Sequence, residues 1–129
     1  MEQKKQTTAV LAEKDPEVAR TAAAQLNDRS YGVAATTTLQ GLVDLLKASP
    51  VPIALVGRVE GSGSPFETLK EVVMTSPMTS IILITDVSAE EVDEEAEGYG
   101  ILGHVGMDVP VKDLGGLLDN FEKIRQALG

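Results

Sequence analysis

Short apolar runs alternate along this chain with segments in which apolar residues recur every three or four positions, and each switch of period predicts a change of element. Residues 8–12 (TAVLA) form a brief continuous apolar run, suited to a buried strand. Asp15-Pro16-Glu17 then reads as a helix start: a side-chain cap, a proline at the first helical position and an acid at the positive end of the helix dipole. Val18, Ala22 and Leu26 continue it at helical spacing as far as Asn27. Residues 31–38 (YGVAATTT) are strand-like, with β-branched threonines within them. Leu39, Leu42, Val43 and Leu46 make the next helical stripe, ended by Ser49-Pro50.

Residues 53–56 (IALV) predict a third strand. Phe66, Leu69, Val72 and Val73 predict a third helix that stops before Pro77. Residues 80–85 (SIILIT) are the most strand-like segment of the chain. Ser88 to Glu91 reads S-x-x-E, a capping box opening a fourth helix that runs to about Glu97. Residues 101–105 (ILGHV) predict a shorter strand. From Asp113 on, Leu114, Leu117, Leu118, Phe121, Ile124 and Leu128 predict an amphipathic closing helix.

Five strands thus alternate with five helices over residues 1–129, which are enough for one domain with a single core. Strands that are apolar on both faces and separated by helices call for a parallel sheet covered on both sides. Right-handed crossovers then give a doubly wound α/β fold whose functional edge lies at the carboxyl ends of the strands.

Composition narrows the function classes. Aromatic residues are 3% of the chain, so the core is built from Val, Leu, Ile and Ala. Twenty acids against 11 scattered bases give a formal charge of -9, which argues against direct binding of nucleic acid. The apolar runs, such as residues 81–84, are far shorter than the ~18 residues of a membrane span. Residues 1–8 hold no apolar stretch of a secretory leader, and the absence of cysteine removes disulfides and thiolate metal sites. A cytoplasmic location is the expectation. Residues 86–97 carry seven acids and no base, either a solvated helix face or a surface for a basic partner.

The loop after the third strand, with Gly57, Gly61 and Gly63, invites a phosphate-binding reading. Its spacing does not support one. A P-loop needs G-x-x-x-x-G-K-S/T, and the loop has no lysine. A dinucleotide fingerprint belongs after the first strand, and a G-x-S-x-G nucleophile elbow does not occur. The expectation is a flexible connector, with Pro65 near the start of the third helix.

The residues after each strand meet at the carboxyl edge: Glu13 and Lys14, Gly57 and Arg58, Thr85 and Asp86, and His104. Here the chain resembles the receiver domains of bacterial two-component response regulators over nearly its whole length. Four segments carry the resemblance: AVLAEKDPEV, IALVG, IILIT and AEGYGILGHV, the last parallel to the family's A-G-A-x-G-F/Y-L-x-K-P. It implies a flavodoxin-like, receiver-type sheet of five strands in the order 2-1-3-4-5. It also implies a phosphorelay chemistry in which an aspartate forms an acyl phosphate beside a magnesium ion held by two acids.

Position by position, the resemblance implies that most of that machinery is replaced. Gly57 stands at the nucleophile, and shifting the register by one offers only Arg58. Glu13 matches the first acid, but Lys14 stands at the second. His104 falls at the lysine, Val105 at the following proline and Ile101 at the aromatic; Thr85 is retained. The expectation is a pseudo-receiver, not an enzyme, that acts by protein-protein interaction. No cofactor is expected, because Lys14 and Gly57 occupy acidic positions that magnesium needs. Lys14 reads either as a built-in cation in place of the metal or as a lysine in solvent. His104 reads as a pH-sensing or phosphate-accepting group, or as an inactive edge residue. Glu60 is the nearest carboxylate in the loop that could stand in as an acceptor.

The family's usual contact surface maps here to Glu90, Glu91, Glu94, Ile101, Leu117 and Phe121. The expected partner is a protein or a fused output domain, with homodimerisation through the fourth and fifth helices open. A chain ending just after its last helix also fits an N-terminal module of a longer regulator. The alternative function is a small-anion or nucleotide-binding α/β domain, or an enzyme, using Lys14, Thr85 and His104 at the strand ends.

Overall fold

In the computed structural model, which describes residues 7–108 and 111–128, the ten elements follow the alternation of periods. They are β1 (Thr8–Ala12), α1 (Pro16–Asp28), β2 (Gly32–Thr36), α2 (Leu39–Ala48), β3 (Ile53–Val56), α3 (Pro65–Thr75), β4 (Ser80–Ile84), α4 (Ala89–Glu95), β5 (Gly103–Val105) and α5 (Leu114–Leu128). All strands pair in parallel in the order β2-β1-β3-β4-β5, the doubly wound, flavodoxin-like arrangement. Residues 1–6, most of the segment on which the expectation about a leader rests, and the side chain of Leu128 lie outside the description.

Period two along the strands sorts the core into two halves. Ala9, Leu11, Ile53, Leu55, Ile82, Ile84 and Val105 face one way, onto α1 and α5 through Val18, Leu26, Leu114, Leu118 and Phe121. Val10, Ala12, Ala54, Val56, Ile81 and Leu83 face the other way, onto Leu42, Leu46, Leu69, Val72 and Val92 of α2, α3 and α4. This two-sided burial is why the central strands read as unbroken apolar runs rather than alternating ones.

The helix starts form as their sequences direct. Asp15 accepts the N–H groups of Glu17 and Val18 at 3.0 and 3.1 Å, with Pro16 in the first turn. Ser88 accepts Glu91 N–H at 3.2 Å, and Ser64 caps α3 in the same way. Boundaries shift where end groups find other partners. β2 stops at Thr36 because Thr38 leaves the sheet to cap α2 through Gly41 N–H. α4 ends at Glu95, two residues early, before Gly98 turns the chain in the left-handed region at φ 88°. β5 keeps only residues 103–105, with Leu102 still bonded through its N–H to Ile81 O.

The closing helix corrects one expectation. Phe121, which the resemblance maps to the contact surface, is 3% exposed and belongs to the core. Its ring lies 6.4 Å from Tyr31, with the Arg125 guanidinium 5.5 Å above it. Leu117 is partly buried against the same core, close enough to Gly103 that a side chain there would press on it. The α1–α5 seam is closed by Arg29, 2.9 Å from Asp119 and 3.2 Å from Glu122, and by Tyr31, whose hydroxyl donates to Glu122 at 2.9 Å. Burial, reinforced by that bond to a carboxylate, pushes the Tyr31 hydroxyl well above its ordinary value.

Candidate functional site at the carboxyl edge

Pairing of Ala12 with Val56 carries the next residues of β1 and β3, Glu13 and Gly57, to neighbouring places at the sheet's carboxyl edge. Glu13 points inward and is 1% exposed. Its Oε2 accepts Asp15 N–H at 2.7 Å and its Oε1 accepts Arg58 N–H at 3.1 Å. A Cβ on Gly57 would overlap Glu13 Oε1, with Cδ only 2.9 Å away. Glycine at 57 is therefore more than the lack of an acceptor. It is the space into which the Glu13 carboxylate folds.

The cation beside these acids is Arg58. Its Nε lies 3.9 Å from Glu13 Oε2 and its Nη2 lies 3.5 Å from Asp15 Oδ2. Asp15 thus serves two groups, capping α1 through Oδ1 and meeting Arg58 through Oδ2. Lys14, the sequence's candidate for that cation, is exposed; only its backbone joins the cluster, donating to Arg58 O at 2.7 Å. The sequence places Arg58 at this edge without a role as a cation, because the family pattern asks only whether that position can be phosphorylated. An arginine following a glycine, across from the E-K-D of residues 13–15, was the available signal.

The first half of the glycine-rich loop is also not a free connector. After Gly57 N–H bonds Ala12 O at 2.7 Å, the chain crosses the end of β1 toward β2. Glu60 N–H donates to Thr37 O at 2.9 Å and Leu39 N–H to Glu60 O at 2.8 Å, a parallel bridge between Thr38 and Glu60. Val59 is buried in the α2–α3 half of the core. Residues 57–60 form a strap tying the ends of β1, β2 and β3. The Glu60 side chain stays exposed. Beyond the strap, Thr68 donates to Ser62 Oγ at 2.7 Å, and Ser62 to Ser64 O at 2.9 Å. Glu67 accepts Gly63 N–H at 2.7 Å.

Thr85 and His104 are not drawn into this cluster. Thr85 is buried, its N–H bonded to Val105 O and its Oγ1 accepting Val87 N–H at 3.2 Å, so it shapes the turn into α4. His104 pairs with Leu83 and lines a separate cleft of about 350 Å³ between α4 and β5, with Val92, Asp93, Glu97 and Ile101. Glu90, Glu91 and Glu94 are exposed on α4, as the acidic run predicts. Lys14 and Arg58 instead border a cleft of about 220 Å³ whose far wall is Ser62, Ser64, Pro65 and Thr68. Among the described residues, no group of three or more His, Cys, Asp or Glu side chains converges as metal ligands would. No helix among them is long and apolar enough to cross a membrane.

No protein-family model and no curated protein sequence matches this chain. Its fold is that of solved response-regulator receiver domains. The chemotaxis response regulator CheY4 of Vibrio cholerae superposes with a TM-score of 0.73 at 17% identity, covering 93% of this chain and 99% of that one. A Burkholderia pseudomallei response regulator, solved with a phosphorylated aspartic acid and a calcium ion, gives 0.73 at 16% identity over 95% and 73% of the two chains. The receiver domain of a modulated diguanylate cyclase from Desulfovibrio desulfuricans gives 0.74 at 20%, over 93% of each.

Proposed function

We propose that this domain is a receiver-fold signalling module that acts through protein contacts and carries no aspartyl phosphate. The observation that supports this most directly is the Glu13 carboxylate in the space a Gly57 side chain would need. An acceptor at that position has nowhere to sit while Glu13 keeps its two backbone N–H partners. The reading extends to the metal. Magnesium asks for several free oxygen ligands, whereas both Glu13 oxygens are engaged and a guanidinium stands beside them. In this proposal Arg58 is the resident counter-ion and the domain is not an enzyme.

The contact surface we infer is α4 with β5. Glu90, Glu91 and Glu94 stand exposed on α4, and Asp93 and Glu97 line a cleft with Val92, Ala96 and Ile101, which suits a basic partner with apolar anchors. Phe121 has no part in it, and a homodimer through this surface would have to use α4 and the outer face of α5. A cytoplasmic location is part of the proposal, as is a partner protein or fused output domain.

Incubation with acetyl phosphate and magnesium, followed by intact-mass measurement, tests the central claim. An unchanged mass is expected, and a stoichiometric gain of one phosphoryl group would overturn it.

A further inference from the structure

The two edges of the sheet are guarded unequally. β5 is three residues long, and a strand that short offers another little to pair with. β2, at the opposite edge, has five residues and holds no proline and no charged side chain. From Ser30 to Val43 no residue is charged, in a chain that is 24% charged. We propose that the outer edge of β2 is a dimerisation edge, where a second copy of this chain pairs antiparallel and joins the two sheets into one. This reading goes beyond the signalling role and does not depend on it.

The backbone sets the register. Gly32 N–H donates to Thr7 O at 2.9 Å and Thr36 O accepts Glu13 N–H at 3.2 Å, so residues 32, 34 and 36 turn their backbone groups toward β1. By period two, Val33 and Ala35 turn theirs outward, where no hydrogen bond from the described residues reaches them. The open stretch is bounded on both sides, because Tyr31 N–H is held by Leu26 O and Thr37 O by Glu60 N–H. A two-fold axis beside Ala34 then places Val33 opposite Ala35 of the second copy, and Ala35 opposite its Val33. Each of these pairs exchanges both backbone hydrogen bonds, so every outward donor and acceptor is satisfied.

Charge and symmetry select the occupant. Each copy carries a formal charge of -9, so two copies repel across most of their surfaces and approach at least cost along an uncharged edge. The pairing is isologous: one edge supplies what the other lacks, and assembly closes at two. Ala34 meets its own counterpart at the narrow, non-hydrogen-bonded pair, where Cα atoms are ~4.5 Å apart and small side chains fit. Val33 and Ala34 pack against opposite halves of the core, which already holds the strand in the extended form that pairing needs.

The test is sedimentation equilibrium of the full chain at concentrations reaching ~1 mM, with amide hydrogen exchange followed by NMR. A monomer–dimer equilibrium is expected that strengthens with salt, as repulsion between the copies is screened. Exchange at Val33 and Ala35 should slow as concentration rises, while Ala34 and Thr36, paired with β1, stay protected throughout. Ala35→Pro removes an outward N–H and leaves the β1 ladder intact, so it should weaken dimerisation at least tenfold with unchanged circular dichroism. Ala35→Lys, which puts a charge on the exposed edge, should do the same. A chain that stays monomeric, assembly beyond two copies, or a dimer that survives both variants, as one through α4 and α5 would, refutes the edge. No phosphoryl transfer is involved, so this result and the acetyl phosphate result fail separately.

Discussion

Two ends of the same sheet edge handle acidic side chains in opposite ways. Where β1 and β3 finish, Glu13 is buried with both oxygens bonded, Asp15 serves two partners, and the 57–60 strap ties three strands together. Where β4 and β5 finish, α4 has seven residues, its glutamates stand in solvent and β5 pairs over three residues on one side only. The first region resembles a site in its satisfied, low-energy arrangement. The second has few partners to lose and is the part of the fold best suited to rearrange around another molecule.

Substitutions can break this contrast, and the largest effect belongs to the interlocked end. Gly57→Asp drives a second carboxylate into Glu13 and should cost roughly 3–5 kcal/mol, the range for an uncompensated buried charge, read by urea denaturation. Adding Glu13→Ala should return more than ~1 kcal/mol of that loss, since the two changes share one space. Phe121→Ala should cost about 3–5 kcal/mol as a core truncation, against the small change expected of a surface residue.

The α1–α5 seam sharpens the comparison through pH. The Tyr31 hydroxyl is raised in the folded state, so its contribution to stability is complete below the unfolded value of 10.0 and declines as pH rises above it. Tyr31→Phe should flatten the loss of stability above about pH 10 in an alkaline denaturation series. Arg58→Ala should cost only ~0.5–1 kcal/mol, because its guanidinium is half in solvent and its ion pairs are long. Smallest of all, Glu94→Gln should change stability by less than ~0.5 kcal/mol, toward stabilisation, because an acid near a helix C-terminus opposes the dipole. Both are measurable by thermal melts, and an Arg58→Ala loss matching that of Gly57→Asp would undo the ranking.

The fold was legible because its signals are local and repeated. Periods of two and 3.6, Asp15, Ser88 and the prolines act within a few residues of themselves. The site was legible only by position. That Glu13 and Gly57 adjoin follows from strand pairing, but whether the carboxylate turns inward depends on Asp15 N–H and Arg58 N–H meeting it, and no spacing rule encodes that. The strap was hidden for the same reason: glycines at 61 and 63 make the whole loop look free, while Val59 anchors its first half. Phe121 shows the limit of the resemblance: periodicity puts it on the apolar face of the closing helix, where it is buried, whereas the family's contact surface put it in a partner's reach.

The shared space at 13 and 57 also constrains how the sequence can drift. A carboxylate acquired at 57 while Glu13 remains meets an occupied volume. Loss of Glu13 while 57 stays glycine leaves the N–H groups of Asp15 and Arg58 without their acceptor. Either order of travel passes through a less stable intermediate, so the present pair sits in a valley with a ridge on both sides. The site is held in place by the route out of it as much as by the bonds within it.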